Sequence, residues 1–589
     1  MIRFVKFLLF FIIFQTLLAV LTQTFGIFYF WVILAANIVL ILVMFITLGN
    51  KLFFGCWQPP LCLRHKWTKA CKKFIASLSK IDWVLLLVIS ISFLCLFQVH
   101  YNYTGKFSMV EDQLFQYHEV KNMQYVYPYF SDEWYAVSLV KESINNHSLP
   151  LKNPFDGTFF MDPEMFFHSF LAGIMLLLGF DPITQYTIFS VFFNTLLIVL
   201  AYLFLRFCNL PKFVSAISAL SILYIVSTSN LPGIWNLIPV TMGIIFSLIE
   251  FCFLSQNKWK LGLLAFLFIF LFYPPLIIFS GVGLLTYFLR FQEVKEKLPE
   301  ILKFSLIFIT ISAVAIIILM LSPAAKILKY IFSNLFYDSF TGSFIPQFNF
   351  YSIIPWWAIA FAFLGAYFIY KNKKWLFFQL ILGVGLWAIY MFSVHRLIIG
   401  FERTVFFTSI LACIVSGFGM EEAKKYLGSK FKNIGMFLKY AEVCTLILFV
   451  LFLPFYTQSE GWRNLILSNS KIKADSIPMA PANNYLTSED LRIFKNIKQK
   501  RFFSIPWKGT VIGITTGNYP IITKGGTITM YSENPVIYQQ FMGFDCGNKS
   551  QFAKEKNLDY IYSSAFSCPN FQEIDKSSAE GLTLYKFNQ

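Results

Sequence analysis

A long series of apolar segments constrains this chain more than any other feature of its sequence. Each segment approaches the length of about 20 residues with which a helix crosses the roughly 30 Å of hydrocarbon in a membrane. Only 13% of the 589 residues are charged, about half the fraction usual in soluble domains. The composition excludes a soluble enzyme, a disordered scaffold and a disulfide-rich secreted module, and it predicts an all-α polytopic membrane domain. The segments lie at residues 4–21, 27–48, 82–99, 183–206, 212–230, 234–254, 261–273, 275–290, 301–322, 353–370, 375–393, 404–420 and 437–456, which predicts 13 transmembrane helices.

The distribution of positive charge predicts the orientation of these segments. The formal net charge is +17, and the loop 49–81 alone holds seven Lys or Arg. Later loops on the same side, from Arg206 onward, hold sixteen basic residues, whereas the short loops on the opposite side hold four. Because cytoplasmic loops carry this excess, we expect a cytoplasmic N-terminus and an extracytoplasmic C-terminal tail. No small-residue cleavage site follows the first segment, so we expect it to be retained.

The same charge rule assigns two difficult stretches. Residues 166–180 are apolar but short, and they are predicted to form an interfacial or re-entrant helix on the outer side. Residues 261–290 contain Pro274 and Pro275 in their middle, which favours two short spans that meet on the outer side. The chain then divides into an N-terminal hairpin with its basic loop (1–81), a main membrane domain (82–456) and an outer tail (457–589).

The outer loop 100–165 is acidic, with nine Asp or Glu and four Lys. Apolar residues recur at helical spacing from Trp134, and Ser131 or Asp132 stands at the N-cap position, so an amphipathic helix is predicted to begin there and to stop near Asn146. A carboxylate at a helix start stays ionised, as a base or a metal ligand requires. The alternative is that Asp132 is only a cap and Glu133 a solvated first-turn residue.

This arrangement resembles the membrane glycosyltransferases of the GT-C superfamily. The resemblance rests on an outer loop with the pair Asp132-Glu133 in SDEW, a following helix and an exit of the form Leu-Pro-x-x-Asn-Pro, and it covers about 82–456. It implies that Asp132, or its neighbour Glu133, is catalytic and that the donor is a polyprenyl-phosphate sugar. The tail lacks the WWDYG-type motif of oligosaccharyltransferases, which favours transfer of a single sugar.

Such a donor requires cations for the departing phosphate. Arg396 and Arg403 stand at the two ends of the outer turn HRLIIGFER, with His395 beside them. Arginine binds phosphate in bidentate fashion, but the two residues are equally explained as interfacial anchors or as partners of Glu402.

Further carboxylates lie near the end of the acidic loop. Asp162 and Glu164, in MDPEMFFH, are candidates for binding the acceptor or a metal, or they are turn residues without a further role. No cofactor is certain from the sequence; a divalent metal is one option, and its ligands are unknown.

The tail is predicted to be a small extracytoplasmic α/β domain. A capping box of Thr487 and Asp490 begins a helix that is expected to reach about residue 500. Strands are predicted at 510–516, 527–531, 560–563 and 582–587, with a helix near 550–556. Cys546 and Cys568 are the two cysteines of the outer tail, and we expect them to form a disulfide.

Two functions from different classes remain open. The first is a multi-pass enzyme of the plasma (inner) membrane that transfers a sugar from a polyprenyl-phosphate donor to a lipid, glycan or protein acceptor, by an inverting mechanism with Asp132 as base. The second is a transporter or flippase, or a non-catalytic assembly partner, for lipid-linked glycans. Transporters place ionisable groups inside their spans, whereas here the charges concentrate in the outer segments. Nucleic acid is not expected as a partner.

Overall fold

The computed structural model is mostly helical, with a small sheet in the C-terminal tail. The helices before the tail are mostly apolar, and the five-stranded sheet of the tail lies between Arg501 and Phe587. It describes residues 1–52, 82–101, 103–111, 114–123, 126–128, 131–153, 155, 159, 162, 164–225, 233–289, 303, 306, 307, 310, 314, 353–392, 400–430, 440–448, 450–451, 486–523, 536–578 and 580–588.

The helices follow the apolar segments of the sequence. In chain order they are α1 (Ile2–Thr24), α2 (Phe30–Leu52), α3 (Trp83–Tyr101), α4 (Ser131–Asn146), α5 (Met165–Leu178), α6 (Pro182–Phe207), α7 (Lys212–Leu220), α8 (Pro239–Ser255), α9 (Trp259–Phe272), α10 (Ile277–Leu289), α11 (Trp356–Asn372), α12 (Lys374–Phe392) and α13 (Phe401–Lys430). Within the described ranges, α1, α6 and α13 are long and apolar enough to cross a membrane. The expected total of 13 spans stays a prediction, since most of 301–322 lies outside those ranges.

The break expected at Pro274 divides one apolar stretch into a helical hairpin. A short 3-10 turn (Pro274–Leu276) separates α9 from α10. At the other end of the hairpin, the Tyr287 hydroxyl donates to Asn257 Oδ1 at 3.1 Å, and the rings of Trp259 and Phe288 lie 5.7 Å apart. The two helices therefore run antiparallel, which agrees with two short spans that meet at their proline-containing ends.

Contacts between helix ends identify one end of the bundle as basic. Asp82, just before α3, accepts a hydrogen bond from the Tyr202 hydroxyl at 2.9 Å and pairs with Lys212 Nζ at 3.4 Å. Trp375, at the start of α12, packs against Phe204 with ring centroids 6.0 Å apart. The end of α6 thus lies beside the starts of α3, α7 and α12. We call this the basic end, after Arg206, Lys212, Lys371, Lys373 and Lys374.

Glycines let α11 and α13 approach closely. A Cβ on Gly365 would overlap the Val415 carbonyl oxygen, and one on Gly419 would overlap the Phe361 carbonyl oxygen. Small residues permit this backbone approach between helices in a membrane, where packing rather than hydrophobic burial drives association. The middle of α13 is therefore packed tightly against α11.

The acidic loop contributes a hairpin and helix α4, and helix α5 follows it. Strands β1 (Tyr103–Glu111) and β2 (Leu114–Met123) pair antiparallel, which the sequence analysis did not predict. Helix α4 has the expected bounds. Helix α5 corresponds to the predicted interfacial helix, but it packs into the bundle against α1: Ser169 Oγ donates to Gln23 Oε1 at 2.7 Å, and Gly173 meets Ala19.

The tail forms a five-stranded sheet with helices α14 (Ser488–Ile493), α15 (Pro506–Thr516), α16 (Val536–Gly543) and α17 (Cys546–Glu555). The strand order is β4 (Tyr519–Pro520), β3 (Arg501–Ser504), β5 (Tyr560–Ser564), β7 (Leu582–Phe587) and β6 (Phe571–Ser577). Strand β3 is parallel to β4 and β5, and β7 is antiparallel to β5 and β6.

The predicted strand at 510–516 is wrong, because this segment is the greater part of helix α15. Its β-branched residues favour a strand, but Pro506 at the first helical position and the packing of the helix override that preference. A Cβ on Gly509 would overlap the Ile522 carbonyl oxygen, so the glycine allows the helix to lie close to the segment after β4. The strand predicted at 527–531 lies outside the described residues.

Most of the other elements predicted for the tail are present in the structure. The capping box of Thr487 and Asp490 is confirmed, although its helix ends at Ile493 rather than near residue 500. Strands β5 and β7 are present as expected, β3 and β6 were not predicted, and α17 begins four residues earlier than predicted. Cys546 and Cys568 are joined by a disulfide, with Cα atoms 5.4 Å apart.

The tail core contains a buried charged group. Lys508 Nζ lies 2.5 Å from Asp490 Oδ2 and 2.6 Å from Glu580 Oε1, and all three side chains are almost fully buried. Burial raises the pKa of Glu580 to about 7; the Lys508 ammonium lowers it and the Asp490 carboxylate raises it. Two carboxylates thus share one cation, and Tyr562 donates a further hydrogen bond to Asp490.

Candidate functional site

The site is built around the first turn of α4, at the end of the bundle opposite to the basic end. The Asp132 carboxylate pairs with Arg403, whose Nη2 donates to Oδ2 at 2.9 Å. The two residues come from the acidic loop and from the first turn of α13, 271 positions apart in the chain. The side chains are 18% and 24% exposed, so the pair is accessible yet largely shielded from water.

A cavity of about 130 Å³ lies beside this pair. Its polar lining consists of Asp132, Arg403, Glu164, Tyr135 and Tyr273, and its apolar lining is the segment 238–240 at the start of α8. Ligand pockets for drug-sized molecules usually exceed roughly 300 Å³. The cavity therefore has room for one functional group, such as a phosphate or a hydroxyl, rather than a whole sugar.

Glu164 brings a second carboxyl group to the cavity. It stands at the N-cap position of α5 and is half-buried. Burial raises the pKa of its carboxyl well above the usual range, the carboxylates of Asp162 and Asp132 raise it further, and Arg403 opposes them. A carboxyl with a raised pKa keeps its proton to a higher pH than an ordinary glutamate does.

Glu133 points away from the cavity, although it is adjacent to Asp132. It is fully buried and accepts hydrogen bonds from the Leu237 backbone N–H at 2.8 Å and from Asn236 Nδ2 at 3.3 Å. Successive helical residues diverge by about 100°, so the helix turns one carboxylate to the cavity and the other to the protein interior. In this geometry Glu133 anchors the segment that precedes α8.

Side chains of α6 hold the same segment from its other side. The Tyr186 hydroxyl donates to the Leu237 carbonyl at 2.5 Å, and Asn194 Nδ2 donates to the Asn236 carbonyl at 2.9 Å. Ser190 Oγ donates to the carbonyl of the preceding residue, Trp235, at 2.5 Å. These bonds fix the backbone that lines the cavity, so its shape is set before a ligand arrives.

Asp162 is paired with a histidine that the sequence analysis did not select. His168 Nδ1 lies 2.5 Å from Asp162 Oδ2, and both side chains are buried. The other carboxylate oxygen of Asp162 accepts the Glu164 backbone N–H at 2.9 Å. Asp162 therefore does not line the cavity; it fixes the start of α5 and with it the position of Glu164.

The remaining candidates divide into those the structure brings together and those it does not describe. Arg403 and Asp132 are in contact, whereas His395 and Arg396 lie outside the described residues. Among the described residues, no three His, Cys, Asp or Glu side chains are grouped so that they could hold a metal ion. The cavity residues thus offer a carboxylate pair and an arginine, and a divalent metal stays a prediction.

Two tyrosines of the cavity were missed from the sequence. Tyr135 lies three residues after Asp132, and helical neighbours at this spacing share a face, so it could have been selected. Tyr273 immediately precedes the proline pair that separates α9 from α10. Tyr273 therefore lies at the turn that joins the two helices of the hairpin, but no local sequence pattern predicts that it lies near Arg403.

No protein-family model matches the chain, and no curated protein matches it. Among solved structures, the chain is similar to the Archaeoglobus fulgidus oligosaccharyltransferase in its apo form, with 12% identity, a TM-score of 0.46, and 82% of this chain and 70% of that one covered. It is also similar to the same protein tethered by a disulfide to an acceptor peptide with the NVT sequon, with 14% identity, a TM-score of 0.45, and coverage of 83% and 70%. At these values, neither the fold nor the activity of that protein is transferred to this chain.

Proposed function

We propose that this chain is an integral membrane glycosyltransferase that moves one sugar from a polyprenyl-phosphate donor to an acceptor at the extracytoplasmic face. The observation that carries the proposal is the contact of Asp132 with Arg403 in one cavity, because it supplies a base and a phosphate-binding cation side by side. Inverting transfer from a phosphate donor requires both groups within reach of one anomeric carbon.

In this mechanism Asp132 accepts the proton of the acceptor hydroxyl. The freed oxygen attacks the anomeric carbon, and the bond from that carbon to the phosphate oxygen breaks. The phosphate leaves as polyprenyl phosphate, and Arg403 stabilises its charge. An incoming phosphate competes with Asp132 for the guanidinium, so donor binding itself releases the carboxylate from its ion pair.

Glu164 supports the same reaction in a second role. Because its pKa is raised, a protonated Glu164 can donate a hydrogen bond to Asp132 or to the phosphate, while Asp132 takes the proton of the acceptor. The sequence alone left Glu164 as a candidate for binding the acceptor or a metal. We favour a place beside the acceptor, because the described residues that line the cavity include no third carboxylate and no imidazole.

The outer location of the site is part of the proposal. The residues of the basic end lie opposite to Asp132, in the arrangement expected if the basic end faces the cytoplasm. A C-terminal reporter that fluoresces only in the cytoplasm should then stay dark. Bright fluorescence would place the tail inside the cell and would remove the outer site with it.

The test of activity uses the full-length protein in nanodiscs with radiolabelled polyprenyl-phosphate sugars. We expect wild type to release polyprenyl phosphate and to form a labelled product, and Asp132→Asn to lower the rate by a factor of about 10² to 10⁴. Glu573→Gln, an exposed carboxylate of the tail, is the matched control and should keep the wild-type rate. Normal transfer by Asp132→Asn would exclude Asp132 as the base.

One observation favours the transporter alternative. Glu250, in the C-terminal half of α8, is fully buried, and neither of its oxygens has a well-oriented partner among the described residues, although Ser280 lies beside it. Ionisable groups inside membrane spans are often functional. Movement of a fluorescent lipid-linked sugar across proteoliposomes, abolished by Glu250→Gln and unaffected by Asp132→Asn, would replace the enzyme proposal with this one.

A further inference from the structure

A second cavity, of about 390 Å³, lies between α4 and the tail. One wall is the middle and end of α4 with the segment that follows it, and the other wall is formed by α15 and β4. We call it the α4–tail crevice. It is large enough for a small ligand, and it borders the helix whose first turn carries Asp132.

A lysine joins the two walls of the crevice. Lys141 Nζ, on α4, donates to the carbonyl oxygen of Ile514 at 3.0 Å. Ile514 lies in the last turn of α15, where carbonyl groups lack partners within the helix and carry the negative end of its dipole. The cation therefore caps α15 and holds the tail against α4, so the crevice has a fixed width at this point.

The lining of the crevice is rich in side chains that both donate and accept hydrogen bonds. Three amides, those of Asn145, Asn146 and Asn153, stand beside Glu142 and Tyr519. Amide groups combine two donors with an acceptor, which matches the alternating hydroxyl groups of a saccharide. Tyr519 is 38% exposed and offers an accessible ring next to these amides.

The crevice is positive within an otherwise acidic loop. Lys141 and Lys152, two of the four basic residues in the outer loop 100–165, both line it. Burial lowers the pKa of Lys141, the nearby Asp181 carboxylate opposes this shift, and Lys498 in the tail lowers the pKa further. One carboxylate, that of Glu142, lines the crevice against these cations.

We propose that the α4–tail crevice binds a saccharide that carries a carboxylate or phosphate group, and that this saccharide is part of the acceptor. The amides and Tyr519 would bind its hydroxyl groups, and Lys152 would bind its anionic group. The role as acceptor rests on the proposed function, whereas binding does not. Helix α4 connects the two places, because its rise of about 1.5 Å per residue puts Asn145 roughly 20 Å from Asp132.

The lining favours a saccharide over a peptide. Ile514 is the one aliphatic side chain among the described residues that line the crevice, and it is buried. Peptide grooves use apolar pockets for side chains, and the crevice offers none from this set of residues. Because lysines line the crevice, an acidic peptide is the alternative ligand that the experiment has to exclude.

The experiment measures binding to the full-length protein in nanodiscs by calorimetry. The probes are a trisaccharide of galacturonic acid, the neutral trisaccharide maltotriose, and triglutamate. We expect the uronic acid trisaccharide to bind most tightly and Lys152→Gln to weaken it about tenfold, since a hydrogen bond to a charged group is lost. Asn145→Ala should weaken both trisaccharides. Lys554→Gln, at an exposed position of α17, is the control and should leave binding unchanged.

Three results would overturn the inference: equal affinity of wild type and Lys152→Gln for every probe, tighter binding of triglutamate than of either trisaccharide, or no binding at all. The Asp132→Asn variant separates this inference from the proposed function. It should bind the uronic acid trisaccharide as wild type does while it fails to transfer sugar. If wild type binds the trisaccharide but transfers no sugar to any acceptor, the proposed function is contradicted and the binding site stands.

Discussion

The ion pair between Asp132 and Arg403 gives the sharpest test of the site, through a double-mutant cycle. Asp132→Asn and Arg403→Gln each remove one charge and keep a side chain of similar shape. If the pair stabilises the fold, the double variant should lose less free energy of unfolding than the two single variants lose together. The cycle thus measures the interaction of the two residues and not the loss of either side chain alone.

The expected size of the coupling follows from the distance and exposure of the pair. At 2.9 Å and an effective dielectric constant of about 20, Coulomb's law gives a gross attraction of about 6 kcal/mol. Desolvation and side-chain ordering oppose it. Exposed pairs yield at most about 1 kcal/mol, and breaking a buried pair costs about 3 to 5 kcal/mol. With 18% and 24% exposure, we expect a coupling of about 2 kcal/mol.

The same variants should separate stability from catalysis. Unfolding is followed by urea titration of the protein in micelles, and turnover by release of polyprenyl phosphate. We expect Arg403→Gln to lower turnover by a factor of about 10² to 10³, as for loss of one donor to a developing anion, and to weaken binding of the donor. Arg403→Lys keeps the charge without the bidentate geometry and should fall between wild type and Arg403→Gln.

Two outcomes would refute this reasoning. A coupling below about 0.5 kcal/mol would mean that the pair contributes no more than a surface ion pair. Unchanged donor affinity and turnover in Arg403→Gln would mean that the guanidinium only anchors α13 and that another cation binds the phosphate. In that second case the charge of the leaving group would have to be met from residues outside the described part of the chain.

Three further predictions concern the tail and its contact with α4. Lys141→Met removes the hydrogen bond to the Ile514 carbonyl, so we expect faster limited proteolysis of the tail in the full-length protein, with wild-type behaviour in Lys141→Arg. The pKa of Glu580 rises from 4.5 to about 7 on folding, so its contribution to stability is complete below pH 4.5 and is lost as the pH rises through 7. We expect the free energy of unfolding in urea to fall by about 3 kcal/mol over this range, and Glu580→Gln should remove this pH dependence. Replacing Cys546 and Cys568 by Ser should lower the free energy of tail unfolding by about 3 kcal/mol in the same titration, since the crosslink closes a loop of 22 residues; an unchanged midpoint would contradict this.

The membrane part of the fold was largely predictable because hydrocarbon leaves few options. Long apolar segments must form helices there, so α1, α6 and α13 follow directly from composition. The break at Pro274 was predictable for an equally local reason, since proline removes a backbone donor. The hairpin of β1 and β2 was not, because its residues show neither a continuous apolar run nor a two-residue turn signal.

The tail shows where local preference fails. The residues of 510–516 have side chains that favour strands, and the segment is nevertheless helical. What decides the outcome is packing: Gly509 and Gly513 allow the helix to lie against the segment 520–522, which no single-sequence pattern reports. Strands β5 and β7 were correctly predicted because they are rich in the aromatic and β-branched residues that favour strands.

The site could be predicted in its parts but not in its pairing. Helical geometry alone states that Asp132 and Glu133 cannot both face one cavity, and the structure turns Asp132 toward it. The chemistry expected of a phosphate-linked donor placed Arg403 in the same outer site as Asp132, but no local pattern predicts their direct ion pair, because the contact spans 271 residues. The ion pair also affects how each residue could act, because it occupies both the carboxylate and the guanidinium. A carboxylate paired with an arginine is a poor base until a competing anion binds the arginine. A donor phosphate that binds Arg403 would therefore free Asp132 to act as a base in the same event. Water alone would leave the ion pair intact.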